Sequence, residues 1–126
     1  MTAIERAIRH EPAHKWTLEE LCALSGWSKS ALNPRVKEAT GYSSMEYVLV
    51  VRLELAKQSL SHSDVPITAI AMDLGFSSSQ HFSTAFRQRM GLSPSAFRQN
   101  TRPFMSLAGA VSLDEKLSTR KGFSKK

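Results

Sequence analysis

Gln80, Ser83, Thr84 and Arg87 fall at i, i+3, i+4 and i+7, the spacing that sets polar side chains on one face of a helix. Ser79 and His81 border that face at its N-terminal end. These residue types suit the edges of nucleobases. A glutamine amide offers the donor and acceptor that adenine presents together, and Ser and Thr hydroxyls can serve either role. About fifty residues earlier a matching face holds Ser30, Asn33, Pro34 and Lys37. Asn33 is suited to adenine and Lys37 to a phosphate, whereas Pro34 can serve neither. Ser28, Lys29, Lys37, Ser77 and Arg87 are candidate phosphate contacts, together with the amides at the helix starts.

A second cluster suggests different chemistry. "HEPAH", His10 to His14, fits the H-E-x-x-H pattern of zinc peptidases. That chemistry needs both histidines on one helical face, four residues apart. Pro12 lies between them, and the residue before a proline avoids helical angles. The stretch therefore reads as a polar connection between helices. No cofactor, metal or catalytic residue is expected.

The elements that must position these side chains are all helical. Thr17 with Glu20, Ser43 with Glu46 and Ser77 with Gln80 have the spacing of capping boxes. Ser93 before Pro94 reads as an N-cap with proline at the first helical position. Gly26, Gly41, Gly75 and Gly91 each follow a helical pattern, where glycine closes helices. The spacing predicts an all-α fold of seven helices, at about 2–10, 18–25, 29–39, 44–61, 66–74, 78–90 and 94–99. Pro34 interrupts the third. "NPRVK" also reads as a fresh helix start, but Leu32, Val36 and Gly41 favour one kinked helix.

The chain also repeats itself. "LCALSGWS" at 21–28 matches "IAMDLGFS" at 70–77 with an offset of 49 residues. Leu32, Val36, Lys37, Gly41, Ser43 and Tyr47 then match Phe82, Phe86, Arg87, Gly91, Ser93 and Phe97 with an offset of 50. One residue is added in the second copy, between Ser77 and Phe82. Each copy is a short helix, a Gly-aromatic-Ser turn and a second helix, which is the helix-turn-helix layout. The helix at 44–61 joins them and is about 27 Å long at 1.5 Å per residue. Successive major grooves on one face of DNA lie about 34 Å apart.

Composition fits an anionic partner. The 126 residues carry 17 Lys and Arg against 11 Asp and Glu, a net +6. From Gln99 onward there are six basic and two acidic residues, so +4 of that excess sits in the tail. The single cysteine, Cys22, excludes an intrachain disulfide and reads as a buried small hydrophobe. No apolar run approaches the length of a membrane span, and "MTAIERAIRH" lacks the apolar core of a signal peptide. A reducing cytoplasm is the expected location.

"PITAIAMDLGFSSSQHFSTAFRQRMGLSPSAFR", with "WTLEELCALSGWSKSAL" and "RLELAKQSL" before it, resembles the DNA-binding domain of the AraC/XylS family of bacterial transcription regulators. The resemblance covers about residues 4–98. It implies double-stranded DNA as partner, with Ser79, Gln80, His81, Ser83 and Thr84 matching the family's base-reading positions. Ser30 and Asn33 stand on the corresponding face of the first copy. Arg52 matches a basic residue usual in the family's linker helix, able to reach a phosphate or to pair with a neighbouring glutamate. The pattern departs at Asn33–Val36, where the family usually has a basic residue in place of Pro34 and Phe in place of Val36.

The resemblance implies a domain over 1–98, with helix-turn-helix units at about 17–41 and 66–91 and a linker helix at about 44–61. It also implies an activator that binds an asymmetric site as a monomer on the bacterial nucleoid, with RNA polymerase as second partner and no small-molecule effector domain in this chain. Residues 99–126 read as a basic tail, disordered in part. A competing expectation is a protein-interaction module or anti-regulator whose first DNA reader has degenerated.

Overall fold

The structure is a computed structural model that describes residues 1–108, with side chains through Thr101. Those residues form seven helices: α1 (Thr2–His10), α2 (Leu18–Ser25), α3 (Lys29–Thr40), α4 (Ser44–His62), α5 (Ile67–Asp73), α6 (Ser79–Met90) and α7 (Pro94–Ala108). No strand occurs among them. The all-α expectation holds. The seventh helix runs well past the expected end at 99, and the tail beyond Ala108 lies outside the described residues.

Local sequence explains most helix ends. Thr17 and Glu20 form the reciprocal capping box, each side chain taking the other's backbone N–H. Ser43 caps α4 by accepting from the Glu46 N–H. Ser93 caps α7 through the Ala96 N–H. One cap differs from expectation. Ser78, not Ser77, caps α6, accepting from the His81 N–H at 3.0 Å. The extra residue of the second copy therefore sits in the turn, before the cap. It leaves α3 and α6 with the same length of 12 residues, at an offset of 50.

Pro34 does not split α3. The helix starts at Ser28, whose hydroxyl accepts from the Ala31 N–H, and runs unbroken to Thr40. A proline here removes the usual donor to the Ser30 carbonyl. Pro34 is exposed, while Leu32 and Val36 on the opposite face are buried. The missing bond therefore faces water, where the carbonyl can be solvated.

Two apolar clusters flank α4. The first joins Ile4, Ile8, Leu21, Leu32 and Val36 to Val48 and Val51. The second joins Ile70, Leu74, Phe76, Phe82 and Phe86 to Leu53, Ala56 and Leu60. Each cluster supports one α-turn-α unit, α2–α3 or α5–α6. Because α4 contributes to both, one rigid element carries both units. At 19 residues it is about 28 Å long.

Candidate nucleic-acid interface

On α6 the buried residues are Phe82, Ala85 and Phe86. Their rings form a run from Phe76 through Phe82 and Phe86 to Phe97, with centroids 5.1–5.7 Å apart. Helical periodicity then turns Gln80, Thr84 and Arg87 outward, all exposed, with Ser79 and Ser83 half-buried beside them. The Gln80 amide nitrogen lies 3.4 Å from the Thr84 hydroxyl, one turn on. His81 is held at the N-terminal end of the face. Its Nδ1 lies 3.1 Å from the Ser77 hydroxyl and its ring meets Phe76 edge-on. All six polar residues lie off the buried Phe82–Ala85–Phe86 face.

The matching surface of α3 is composed differently. Ser30, Pro34 and Lys37 are exposed, and the Ser28 and Ser30 hydroxyls lie 3.3 Å apart. Asn33, expected to read a base, is already engaged. Its Oδ1 accepts from the Ser44 N–H at 3.0 Å and from the Ser44 hydroxyl. A backbone N–H can only donate, so the amide oxygen must be the atom facing Ser44. Both lone pairs of that oxygen are then used. A bidentate pair with adenine needs the same oxygen, so the adenine expectation for Asn33 is set aside in this arrangement. Asn33 instead ties α3 to the first turn of α4, where Ser44 is buried.

Arg52 also departs from expectation. Its guanidinium pairs with no glutamate among the described residues and is bonded to backbone carbonyls instead. Nε donates to the Pro12 carbonyl at 2.7 Å and Nη2 to the His14 carbonyl at 2.9 Å. Burial pushes its pKa below the ordinary arginine value. Arg98, which the sequence did not single out, plays a similar part. It donates to the carbonyls of Ser59, Leu60 and Ser63 and so closes the C-terminus of α4. No local pattern marks either contact, because donor and acceptor stand 35–40 residues apart.

The remaining cations sort by whether they are already committed. Lys29 pairs with Glu19 at 2.8 Å, a contact that raises its pKa and lowers that of the glutamate. Arg89 pairs with Glu46 at 2.9 Å and lies over the Tyr42 ring, linking the end of α6 to the start of α4. Arg35 lies over Trp27. Lys37 and Arg87 are exposed and make no side-chain bond within the described residues. They are the repeat-equivalent pair, one on each candidate reading helix.

His10 and His14 do not share a helical face. His10 ends α1 and His14 lies in the loop beyond it, bonded to Glu20 at 2.7 Å and stacked edge-on against Trp16. Cys22 is half-buried on α2. No helix among the described residues is long and apolar enough to cross a membrane.

The family model described as a helix-turn-helix domain matches residues 21–100, which span both units and the helix between them. A probable AraC family transcriptional regulator from Rhodopseudomonas palustris has the same architecture. Its structure aligns at a TM-score of 0.67 and 33% identity, over 81% of this chain and 96% of that one. This chain belongs to the AraC family of DNA-binding transcription regulators. Curated relatives agree. A putative AraC-like transcription regulator from Streptomyces antibioticus is 33% identical over 96 residues, which is 76% of this chain and 32% of that protein. The transcriptional activator RhaS of Klebsiella pneumoniae is 41% identical over 81 residues, 64% of this chain and 29% of that protein. The chain thus spans about a third of the length of the curated relatives it matches. In these terms α2–α3 and α5–α6 are the two helix-turn-helix units of an AraC-type domain, and α3 and α6 are its candidate recognition helices.

Proposed function

We propose that the chain binds specific promoter sites as a monomer, placing α3 and α6 in two adjacent major grooves, with α6 dominating sequence discrimination. One observation supports this reading above the rest. The two units present equivalent helices on one rigid linker, each with an uncommitted cation, Lys37 or Arg87, able to hold a phosphate. The linker is about 28 Å long, close to the roughly 34 Å between grooves. On α6, Gln80 and Thr84 remain free to meet base edges, with Ser79, His81 and Ser83 beside them. On α3, Ser30 is exposed to meet a base, its hydroxyl 3.3 Å from that of Ser28. Ser28, Lys29 and Ser77 stand near the helix starts, where phosphates would lie. The tail beyond Arg98 adds sequence-independent attraction. The likeness to RhaS, a transcriptional activator, supports activation as the sign of regulation. RNA polymerase as second partner and the bacterial nucleoid as location are further parts of this proposal.

Binding-site selection followed by footprinting tests this reading. A bipartite site protected over two adjacent grooves, with most information in the half under α6, is the expected result. The reading fails if binding is indifferent to sequence and lost at physiological salt. The alternative, an interaction module that has lost its first reader, draws on Pro34 and on the engaged Asn33. A stable protein partner together with no footprint would favour it.

A further inference from the structure

Two readers on one chain must be held at a defined angle, and α4 alone does not set it. A helix fixes the distance between the units, but each unit could still roll about its own contacts with α4. Arg52, near the middle of α4, bonds the carbonyls of Pro12 and His14, which belong to the loop leading into the first unit. Ala13 lies between those two residues. The same loop and the same guanidinium press on Gly75, the residue that opens the turn of the second unit. A β-carbon at Gly75 would stand 2.9 Å from the Ala13 Cα, 3.2 Å from the Ala13 carbonyl oxygen and 3.2 Å from the Arg52 Cζ. We infer that Arg52, Ala13 and Gly75 form a clasp that sets the orientation of α6 relative to α3, and with it the half-site spacing the domain accepts.

The spacing part of this inference rests on the two-groove reading above; the orientation part does not. Arg52 is a positioning residue, since it is half-buried against protein carbonyls. The repeat supplies an internal control. Gly26 occupies the equivalent place in the first unit with φ +78°, close to the +89° of Gly75. Nothing lies within 4 Å of a β-carbon at Gly26. Alanine at either position carries the same backbone strain. Only at Gly75 does it also meet the clasp.

The test measures orientation and spacing separately. Residual dipolar couplings of α3 and α6 amides, recorded without DNA, report the angle between the helices. Affinity for the selected duplex, against the same duplex with one base pair inserted between half-sites, reports spacing. That insertion turns the second groove by about 35°. Arg52→Met and Gly75→Ala should change the interhelical angle and reduce the spacing discrimination by about fivefold or more, the lower range of coupling between sites. Gly26→Ala should leave both unchanged. An unchanged angle in folded Arg52→Met, or equal losses in Gly75→Ala and Gly26→Ala, would overturn the clasp. If Arg52→Met does not fold, the two glycine variants decide. A wild-type footprint over a single groove would overturn the two-groove reading and the spacing claim, while the couplings would still decide the clasp.

Discussion

The two helix-turn-helix units share a plan and differ in what their second helices are free to do. In α6 the polar face is uncommitted except within itself and at His81, which Ser77 holds, and the buried face is aromatic. In α3 the buried face is aliphatic, a proline occupies the exposed face, and the one amide side chain is tied to Ser44. Both helices begin at a serine cap and end at a glycine with positive φ. The frame of a reader is thus set by caps, turns and core. Its capacity to read is set by a few outward side chains, and those can be spent on internal contacts while the frame stays intact.

The largest test of this contrast lies in the cores. Phe86 and Val36 are repeat equivalents and both are fully buried. Phe86→Ala should cost about 3–5 kcal/mol, as the aromatic run loses its centre. Val36→Ala removes less apolar volume and should cost about 2 kcal/mol. Urea denaturation followed by circular dichroism measures both. Equal costs would mean that the two units do not rely on their cores differently.

Pro34→Arg sharpens the comparison next. It restores a helical donor and should raise stability by up to about 3 kcal/mol, read as a higher Tm. It also puts a cation on the α3 face, so affinity for the upstream groove should rise. A loss of stability would mark the proline as part of the α3 design. Higher stability with unchanged affinity and footprint would place α3 away from the DNA.

The amides then separate reading from holding. Gln80→Ala should cost about 1–3 kcal/mol in binding to the preferred site and relax one position, with little effect on stability. Asn33→Ala should reverse that order. It leaves the buried Ser44 without its acceptor, at about 1–3 kcal/mol of stability, with a smaller effect on specificity. A specificity loss at Asn33 equal to that at Gln80 would restore Asn33 as a base reader.

The smallest effect is a pH dependence at Glu20. Its hydrogen bond with His14, and then that from the Thr17 backbone, hold its carboxyl below the ordinary glutamate value. A depressed folded-state pKa stabilises the protein above the unfolded value, and that contribution is lost as pH falls through the folded value. Stability should therefore fall on acidification below the ordinary glutamate range, slightly more in wild type than in Glu20→Gln. Identical acid limbs in thermal melts would remove the carboxylate from the account.

What was legible in the sequence follows the range of the interaction. Caps, closing glycines and the repeat depend on residues a few positions apart or on a fixed offset. With the apolar periodicity they located the seven helices among residues 1–108, though not the end of α7, which runs to Ala108 rather than 99. The extra residue of the second copy was visible, but not that the cap had moved with it to Ser78. Two neighbouring serines satisfy the same pattern, and only the geometry chooses between them. The carbonyl contacts of Arg52 and Arg98 were not legible because each bonds a group 35–40 residues along the chain, and the Asn33–Ser44 bond was not because it joins one helix to the next. A basic residue on a helix looks the same whether it meets a phosphate or a carbonyl forty residues away.

Leu55 packs against both apolar clusters from the same turn of α4. A cavity made there opens onto both halves at once, unlike one at Phe86 or Val36. Unfolding either half strips Leu55 of one side of its surroundings and weakens the other. The halves of a duplicated chain could have melted one after the other; this shared side chain couples their melting, so slow amide exchange in α3 and α6 should report a common opening.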